Sequence, residues 1–313
     1  MIIVNEKITD KNFKEGTYIA LGSFDGLHKG HMALINKVVD ESLAAGYKSC
    51  VYTFKNHPLT VAIPEIAPKL IMDTKQKIHL LESKDVDMAV FVSFTESYME
   101  IEAEDFIKLL LEEYNAKGFV VGFNFKFGNQ NKGDVKMLKK LSEKYGFDVF
   151  VIDPELSKDN VISSTRIRNL ISKGHIEQAN DLLFEPFMLR GTIIDGKKLG
   201  RKIGFPTANM SYNDKYVLPK RGVYYTNIKI GEKLYKSISS VGYNPTVSDE
   251  EVISIESYIL DFDQEIYGET VSLYFLKYIR DEMKFENLDD LVDQLDKDRN
   301  YARDKEMFDF MYD

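Results

Sequence analysis

The run Gly22-Ser23-Phe24-Asp25-Gly26-Leu27-His28-Lys29-Gly30-His31 combines two imidazoles with three glycines. Glycines at 22, 26 and 30 let the main chain approach a ligand closely, and a helix opening near His31 would aim free N–H groups and a partial positive charge at an anion. His28 and His31 are three residues apart, so on a helical turn both rings face one side. Two donors beside a phosphate can stabilise charge that develops on it in a transition state. Three glycines also make an ordinary turn, and a histidine pair can face solvent or bind metal, although no third zinc ligand of suitable type lies nearby in sequence. The order of β-rich run, glycines, histidines and helix favours nucleotide binding. A second segment, Ser163-Ser164-Thr165-Arg166-Ile167-Arg168, opens another helix with hydroxyls of N-cap type and two arginines able to hold phosphate oxygens. Plain capping with surface arginines would explain it in isolation. An acidic protein that binds an anion must gather positive charge locally, and Lys29, Arg166 and Arg168 are the candidates.

A third segment is Gly200-Arg201-Lys202-Ile203-Gly204-Phe205-Pro206-Thr207-Ala208-Asn209. Thr207 and Asn209 alternate, so in extended chain both emerge on one face and can offer oxygens to Mg²⁺. A proline-containing loop with routine hydrogen bonds is the alternative. Glu256 interrupts the apolar run Val252 to Leu260, where a buried carboxylate is costly without a task or partner. An outward-facing charge fits the same sequence. Gly191-Thr192-Ile193-Ile194-Asp195-Gly196-Lys197-Lys198 spells most of a P-loop but ends in Lys where Ser or Thr should hold magnesium, so it reads as a hairpin.

The elements that must carry these residues fall into two textures. From Thr17 to about Val151, short β-rich runs (Tyr18 to Leu21, Ser49 to Phe54, Met88 to Val92, Gly118 to Val121, Phe147 to Val151) alternate with helical spacing such as Met32, Ile35, Val38 and Val39. That alternation predicts a parallel sheet of Rossmann-like α/β type, which holds ligands beyond the carboxyl ends of its strands. Glu185-Pro186 interrupts a helical pattern, and successive strands follow: Phe187 to Ile194, Gly222 to Ile230, Leu234 to Val241, Val252 to Leu260 and Thr270 to Leu276. Their close spacing, with turns at Asp195-Gly196, Gly231-Glu232, Asn244-Pro245 and Tyr267-Gly268, predicts a small antiparallel β-barrel. Leu288, Leu291, Val292 and Leu295 recur at helical spacing, so a C-terminal amphipathic helix follows. The domains expected are therefore 1–184 and 185–313.

The chain of 313 residues suits two domains of roughly 150 residues each. With 41 Lys+Arg against 50 Asp+Glu, its net charge of −9 disfavours nucleic acid as the main partner. One cysteine, Cys50, excludes an intrachain disulfide and a thiolate zinc cage, and points to a reducing compartment. Met1 to Lys14 lacks the basic head and apolar run of an export signal, and no stretch reaches ~18 uncharged apolar residues. A cytoplasmic protein without membrane or nucleic-acid partners is expected; oligomeric state is open.

At this level of detail the whole chain resembles the bacterial bifunctional riboflavin kinase/FMN adenylyltransferase family, also called FAD synthetases. The first half is similar to the adenylyltransferase module of His-x-Gly-His nucleotidyltransferases through Gly22-x-Phe24-Asp25-Gly26-x-His28-x-Gly30-His31, Thr53-Phe54 with His57-Pro58, Gly122-x-Asn124-Phe125-x-Phe127-Gly128, and Ser164-Thr165 with Arg168. Ser23 and Asn56 depart mildly from the residues common there, Asn and Pro. The second half resembles the kinase module through Gly191-x-x-x-x-Gly196, Gly200-Arg201-x-x-Gly204-Phe205-Pro206-Thr207-Ala208-Asn209, Gly222-Val223-Tyr224, Gly242-x-x-Pro245-Thr246, Glu256 and Tyr267-Gly268. The resemblance implies phosphorylation of riboflavin to FMN, then transfer of AMP from ATP to FMN to give FAD and pyrophosphate, with Mg²⁺ assisting.

By that resemblance His28, His31, Arg168 and Glu256 are catalytic. Gly22, Phe24, Asp25, Gly30, Asn124, Phe125, Ser163, Ser164 and Thr165 would bind ATP or flavin in the first half. Gly200, Gly204, Pro206, Thr207, Asn209 and Arg280 would do so in the second, with Thr207 and Asn209 on magnesium and Arg280 at the flavin end. Among the remaining candidates, His79 and His175 read as surface or packing residues, and His57 as either a loop support or a ligand contact. Phe123, Phe125 and Phe127 alternate, and could share one face against a planar ring or pack as a core stripe. Cys50 reads as buried and inert.

Overall fold

The computed structural model describes residues 1–5, 15–196, 199–243 and 253–309, in two compact units, Met1–Ser164 and Thr165–Asp313. In the first, strands β1 (Ile2–Asn5), β2 (Thr17–Leu21), β3 (Lys48–Phe54), β4 (Met88–Val92), β5 (Ala116–Gly122) and β6 (Asp148–Ile152) form one sheet in the order β1-β4-β3-β2-β5-β6. Every neighbouring pair is parallel. Helices α1 (Lys29–Ala45), α2 (Thr74–Glu82), α3 (Ala103–Glu113) and α4 (Val135–Tyr145) supply crossovers. All five residues of β2 and of β4 are buried, as unbroken apolar runs covered on both faces require. The helices begin where local chemistry caps them: Asp73 accepts from Gln76 N, Asp134 accepts from Met137 N, and left-handed glycines at 46 and 146 close α1 and α4. Strand order reverses between β2 and β5, so the crevice beyond Leu21 and Gly122 is the sheet's natural ligand position. Edge strand β1 is four residues long, too short for its alternation to single it out, yet it pairs with β4 from Ile2↔Met88 to Asn5↔Phe91.

The second unit carries α5 (Ser164–Ser172, its first residue in the other unit), α6 (Ile176–Asn180) and a closed antiparallel barrel. Its strands β7 (Met188–Ile194), β8 (Thr207–Met210), β9 (Gly222–Ile230), β10 (Lys233–Tyr243), β11 (Ile253–Ile259) and β12 (Thr270–Arg280) run in the order β7-β8-β11-β10-β9-β12. Five were expected; the sixth, β8, is the Thr207–Met210 segment, hidden in the sequence behind Pro206 and too short to show a pattern. Inward positions include Thr226, Ser237, Ser239 and Ser257, all buried, whose hydroxyls satisfy one another at 2.7–2.8 Å. Helix α7 (Leu288–Arg303) follows, capped by Asn287, which accepts from Asp290 N. The unit begins twenty residues before the Glu185-Pro186 break because α6 is tied to the barrel: the Asn180 amide donates to Phe275 O and accepts from Phe187 N. No helix among the described residues is long and apolar enough to cross a membrane. Asn244-Pro245-Thr246, Lys197-Lys198 and Val252 lie outside the described residues.

Candidate functional sites

The turn from Gly22 to His31 leaves the carboxyl end of β2 at the strand-order reversal. Phe24 and Leu27 hold positive φ angles of 45° and 36° while fully buried, so the packing around them overrides a backbone preference. Four tethers hold this conformation. The Asp25 carboxylate, 2% exposed, accepts from Ile71 N at 3.0 Å and Met72 N at 3.3 Å. Thr53 Oγ1 donates to Ser23 O at 2.9 Å, Lys77 Nζ donates to the same carbonyl at 3.0 Å, and Ser164 Oγ donates to Asp25 O at 2.9 Å. Asp25 therefore spends its carboxylate on main-chain amides, a bracing use that sequence spacing does not reveal.

His28 is the N-cap of α1. Its Nδ1 accepts from His31 N at 3.2 Å, so neutral His28 carries its proton on Nε2. The two imidazoles stack, centroids 3.5 Å apart at 15°, and Phe24 meets His31 edge-on at 5.3 Å. The shared side predicted from the three-residue spacing is thus realised as a stack. A Cβ on Gly30 would lie 3.3 Å from two atoms of the His28 ring, and one on Gly22 would lie 3.1 Å from the Phe24 ring; both glycines serve close packing. Asn124 is exposed just past β5, on the other side of the strand-order reversal. Phe125 and Phe127 stack at 5.4 Å, with Phe127 in the core, whereas Phe123 is 46% exposed, so the three do not act as one stripe. His57 serves its loop: its Nδ1 accepts from Leu59 N, and its carbonyl accepts from Thr60 Oγ1. Asn56 clasps the main chain of Phe94 through both amide atoms. Ser163 is half-buried just before α5, and Thr165, Arg166 and Arg168 follow on α5 in the second unit.

In the barrel, register brings the candidates together. Asn209 stands opposite Glu256, which also stands opposite Ser240, and Thr207 Oγ1 donates to Glu256 Oε2 at 3.2 Å. Ile255, Ser257 and Ile259 point inward, so Glu256 lies on the partly exposed face and not in the core; the outward alternative is the one realised, with a hydroxyl partner. Gly196 lets the Asn209 side chain lie against the main chain: a Cβ there would fall 2.0 Å from Asn209 Nδ2. Gly200 likewise admits the Phe205 carbonyl, at 2.1 Å from a notional Cβ, and Gly204 holds φ at +82°. Pro206 is exposed at the entry to β8, and Phe205 is buried, with the Arg299 guanidinium 5.2 Å above its ring. Arg280 forks onto the buried Asp298 of α7, with Nη2 to Oδ2 at 2.7 Å and Nε to Oδ1 at 3.2 Å, and its Nη1 donates to Asp281 O. Gln294 donates to the same carboxylate at 2.9 Å.

Lys77 belongs to no motif and was legible only as one position of a helical stretch. It is 6% exposed, and burial pushes its ammonium pKa down to about 8, with the nearby Asp25 charge opposing the shift. Among the described residues no group of three or more His, Cys, Asp or Glu is placed to hold a metal ion.

Comparison with known proteins gives the same division of labour. A family model described as FAD synthetase matches residues 10–166, and one described as riboflavin kinase matches 183–305. A bifunctional riboflavin kinase/FMN adenylyltransferase of Listeria monocytogenes is 35% identical over 303 residues, covering 96% of this chain and 95% of that one. The Escherichia coli K12 protein of the same description is 32% identical over 93% of each chain. A solved structure from Streptococcus pneumoniae, described as a macrolide-efflux protein, superposes with a TM-score of 0.87 at 31% identity, covering 98% of this chain and all of that one.

Replacing Asp25 by Ala leaves the Ile71 and Met72 amides buried without this acceptor. The expected loss is about 1–3 kcal/mol of stability, read as a lower urea midpoint at unchanged slope. An unchanged midpoint would show that the carboxylate is not a brace.

Proposed function

The chain belongs to the family of bifunctional riboflavin kinases/FMN adenylyltransferases, and from that premise we propose how its residues divide the two reactions. The barrel domain, taken as 185–313, phosphorylates riboflavin to FMN; the α/β domain, taken as 1–184, adenylylates FMN to FAD. The observation that carries this reading is the presence of two differently built cradles, a histidine turn at a sheet's strand-order reversal and a Thr207–Asn209–Glu256 face on a barrel.

In the kinase reaction Glu256 takes the proton of the ribityl hydroxyl as that oxygen attacks the γ-phosphorus of ATP, and ADP leaves. The hydrogen bond from Thr207 fixes one carboxylate oxygen and leaves the other for the substrate. Thr207 Oγ1 and Asn209 Oδ1 are hard, neutral oxygen donors on one face, a set that fits Mg²⁺ bound mainly through nucleotide phosphates. When bound there, the ion draws off charge from the transferring phosphoryl group. Gly200, Gly204 and Pro206 shape the loop that covers the nucleotide. Arg280, already forked onto Asp298, shapes the flavin end by joining β12 to α7.

In the adenylyl transfer the FMN phosphate oxygen attacks the α-phosphorus in line and pyrophosphate departs, with no covalent bond to protein. Orientation and charge neutralisation are then the whole task. His28 donates from Nε2 to a phosphate oxygen, and His31, stacked on it, contacts the same polyphosphate. Asn124 reaches the nucleotide from the β5 side. Gly22, Phe24 and Gly30 shape the turn, Phe125 lies against the bound nucleotide or flavin, and Ser163, Ser164, Thr165 and Arg168 take the phosphate tail. We place the protein in the cytoplasm, with no nucleic-acid partner.

His28→Ala should slow FAD formation from supplied FMN by about 10²–10³-fold, the usual cost of one transition-state donor. Chromatographic separation of FMN and FAD reads it, and near-normal turnover would remove His28 from the mechanism. Glu256→Gln should cut riboflavin phosphorylation by about 10²-fold or more, while FAD formation from supplied FMN continues. Loss of both reactions in either variant would contradict two separate sites.

A further inference from the structure

Beneath the histidine turn lies a buried cation that no motif and no step above uses. Lys77 extends from the first turns of α2, and its ammonium meets Ser23 O at 3.0 Å and Thr53 Oγ1 at 3.4 Å. Thr53 donates its own proton to the same Ser23 carbonyl, so the hydroxyl accepts from Lys77 while it donates to Ser23. The segment that leads into α2 is held from the opposite direction, because Ile71 N and Met72 N donate to Asp25. Turn and helix thus brace each other reciprocally: a carboxylate from the turn on the amides before α2, and an ammonium from α2 on the carbonyl before Phe24.

Physical chemistry makes this an expensive way to fix a loop. A buried amine costs desolvation, and a neutral donor such as the Thr53 hydroxyl already serves the Ser23 carbonyl. Beside a second hydrogen bond to that carbonyl, Lys77 adds charge, which a neutral donor does not. The turn it supports faces a polyphosphate in the reading above, and a cation in a low-dielectric wall acts on an anion with little screening. Near neutral pH the group remains mostly protonated despite its burial, so that charge is present.

We propose that Lys77 is a positioning residue for the adenylyl-transfer site: it fixes the Ser23–Asp25 main chain through Ser23 O and Thr53 and supplies a buried positive charge behind the turn that receives the ATP polyphosphate. This inference rests on assigning adenylyl transfer to the first unit. It predicts an effect on ATP binding, which a loss of folded molecules does not produce, because a smaller active fraction lowers the apparent kcat and leaves KM unchanged.

The test feeds the full-length protein FMN and Mg-ATP and measures FAD formation over a range of ATP concentrations. Lys77→Met, close in volume and uncharged, should raise KM for ATP about tenfold, as expected for losing a charged hydrogen-bonding group. Riboflavin phosphorylation by the same preparation should keep its KM and kcat. Thr53→Val removes one partner of the ammonium together with the hydroxyl's own bond to Ser23 O, keeps the charge, and should raise KM for ATP by about two- to threefold. If Lys77→Met does not fold, as judged by its melting transition, the Thr53→Val value decides. An unchanged KM for ATP in folded Lys77→Met, or in Thr53→Val where the former is lost, overturns the proposal. Absence of FAD formation by the unsubstituted protein would instead overturn the assignment of the reaction.

Discussion

The hydrogen bonds of the Asp25 carboxylate to Ile71 N and Met72 N are what the first site depends on. Two residues of the same turn, Phe24 and Leu27, occupy left-handed backbone that bulky side chains avoid, and such a conformation persists only where its surroundings over-determine it. Asp25 supplies much of that over-determination from within the turn, and Thr53, Lys77 and Ser164 complete it from three other segments. The result is a fixed starting point for α1, which His28 caps through Nδ1. The placement of this imidazole is thereby tied to the carboxyl end of β2, a strand inside the sheet.

The barrel reaches comparable rigidity by a different route. Strand register, not a tethered turn, sets Thr207, Asn209 and Glu256 side by side, and glycines 196 and 200 allow the preceding loop to lie against β8 without a Cβ in the way. The inner face of the barrel is closed by mutually satisfied hydroxyls and apolar side chains, which leaves the outer face for polar chemistry. At the far end of β12 the Arg280–Asp298 fork joins the strand to α7, and Arg299 of that helix lies over Phe205, next to the Pro206-Thr207 step. Helix α7 therefore touches both the end of β12 and Phe205, at the entry to β8.

Much of this was readable in advance because periodicity reports burial. The β4 and β9 runs, Met88 to Val92 and Gly222 to Ile230, match their strands end to end, and α/β alternation followed by close-spaced strands conveyed both architectures. Elements of four residues were not readable: Ile2–Asn5 and Thr207–Met210 form strands only because a neighbouring strand is there to pair with them. In the sites, residue types at fixed spacing pointed to His28, His31, Thr207 and Asn209. The use each side chain makes of its atoms did not show. Asp25 and His57 stand in motifs in the sequence, and in space their side chains accept from main-chain amides; Lys77, an unremarkable lysine in an amphipathic stretch, turns inward. Such assignments depend on contacts between residues distant in sequence, which spacing cannot encode.

The central claim is that one chain carries two successive flavin reactions at two sites. Its most direct test is a time course of purified full-length protein with riboflavin, ATP and Mg²⁺ and no added FMN, with the three flavins separated at each interval. The account predicts that FMN rises first and FAD follows at its expense. FMN that accumulates without FAD, or riboflavin that stays unconverted while supplied FMN becomes FAD, would contradict it.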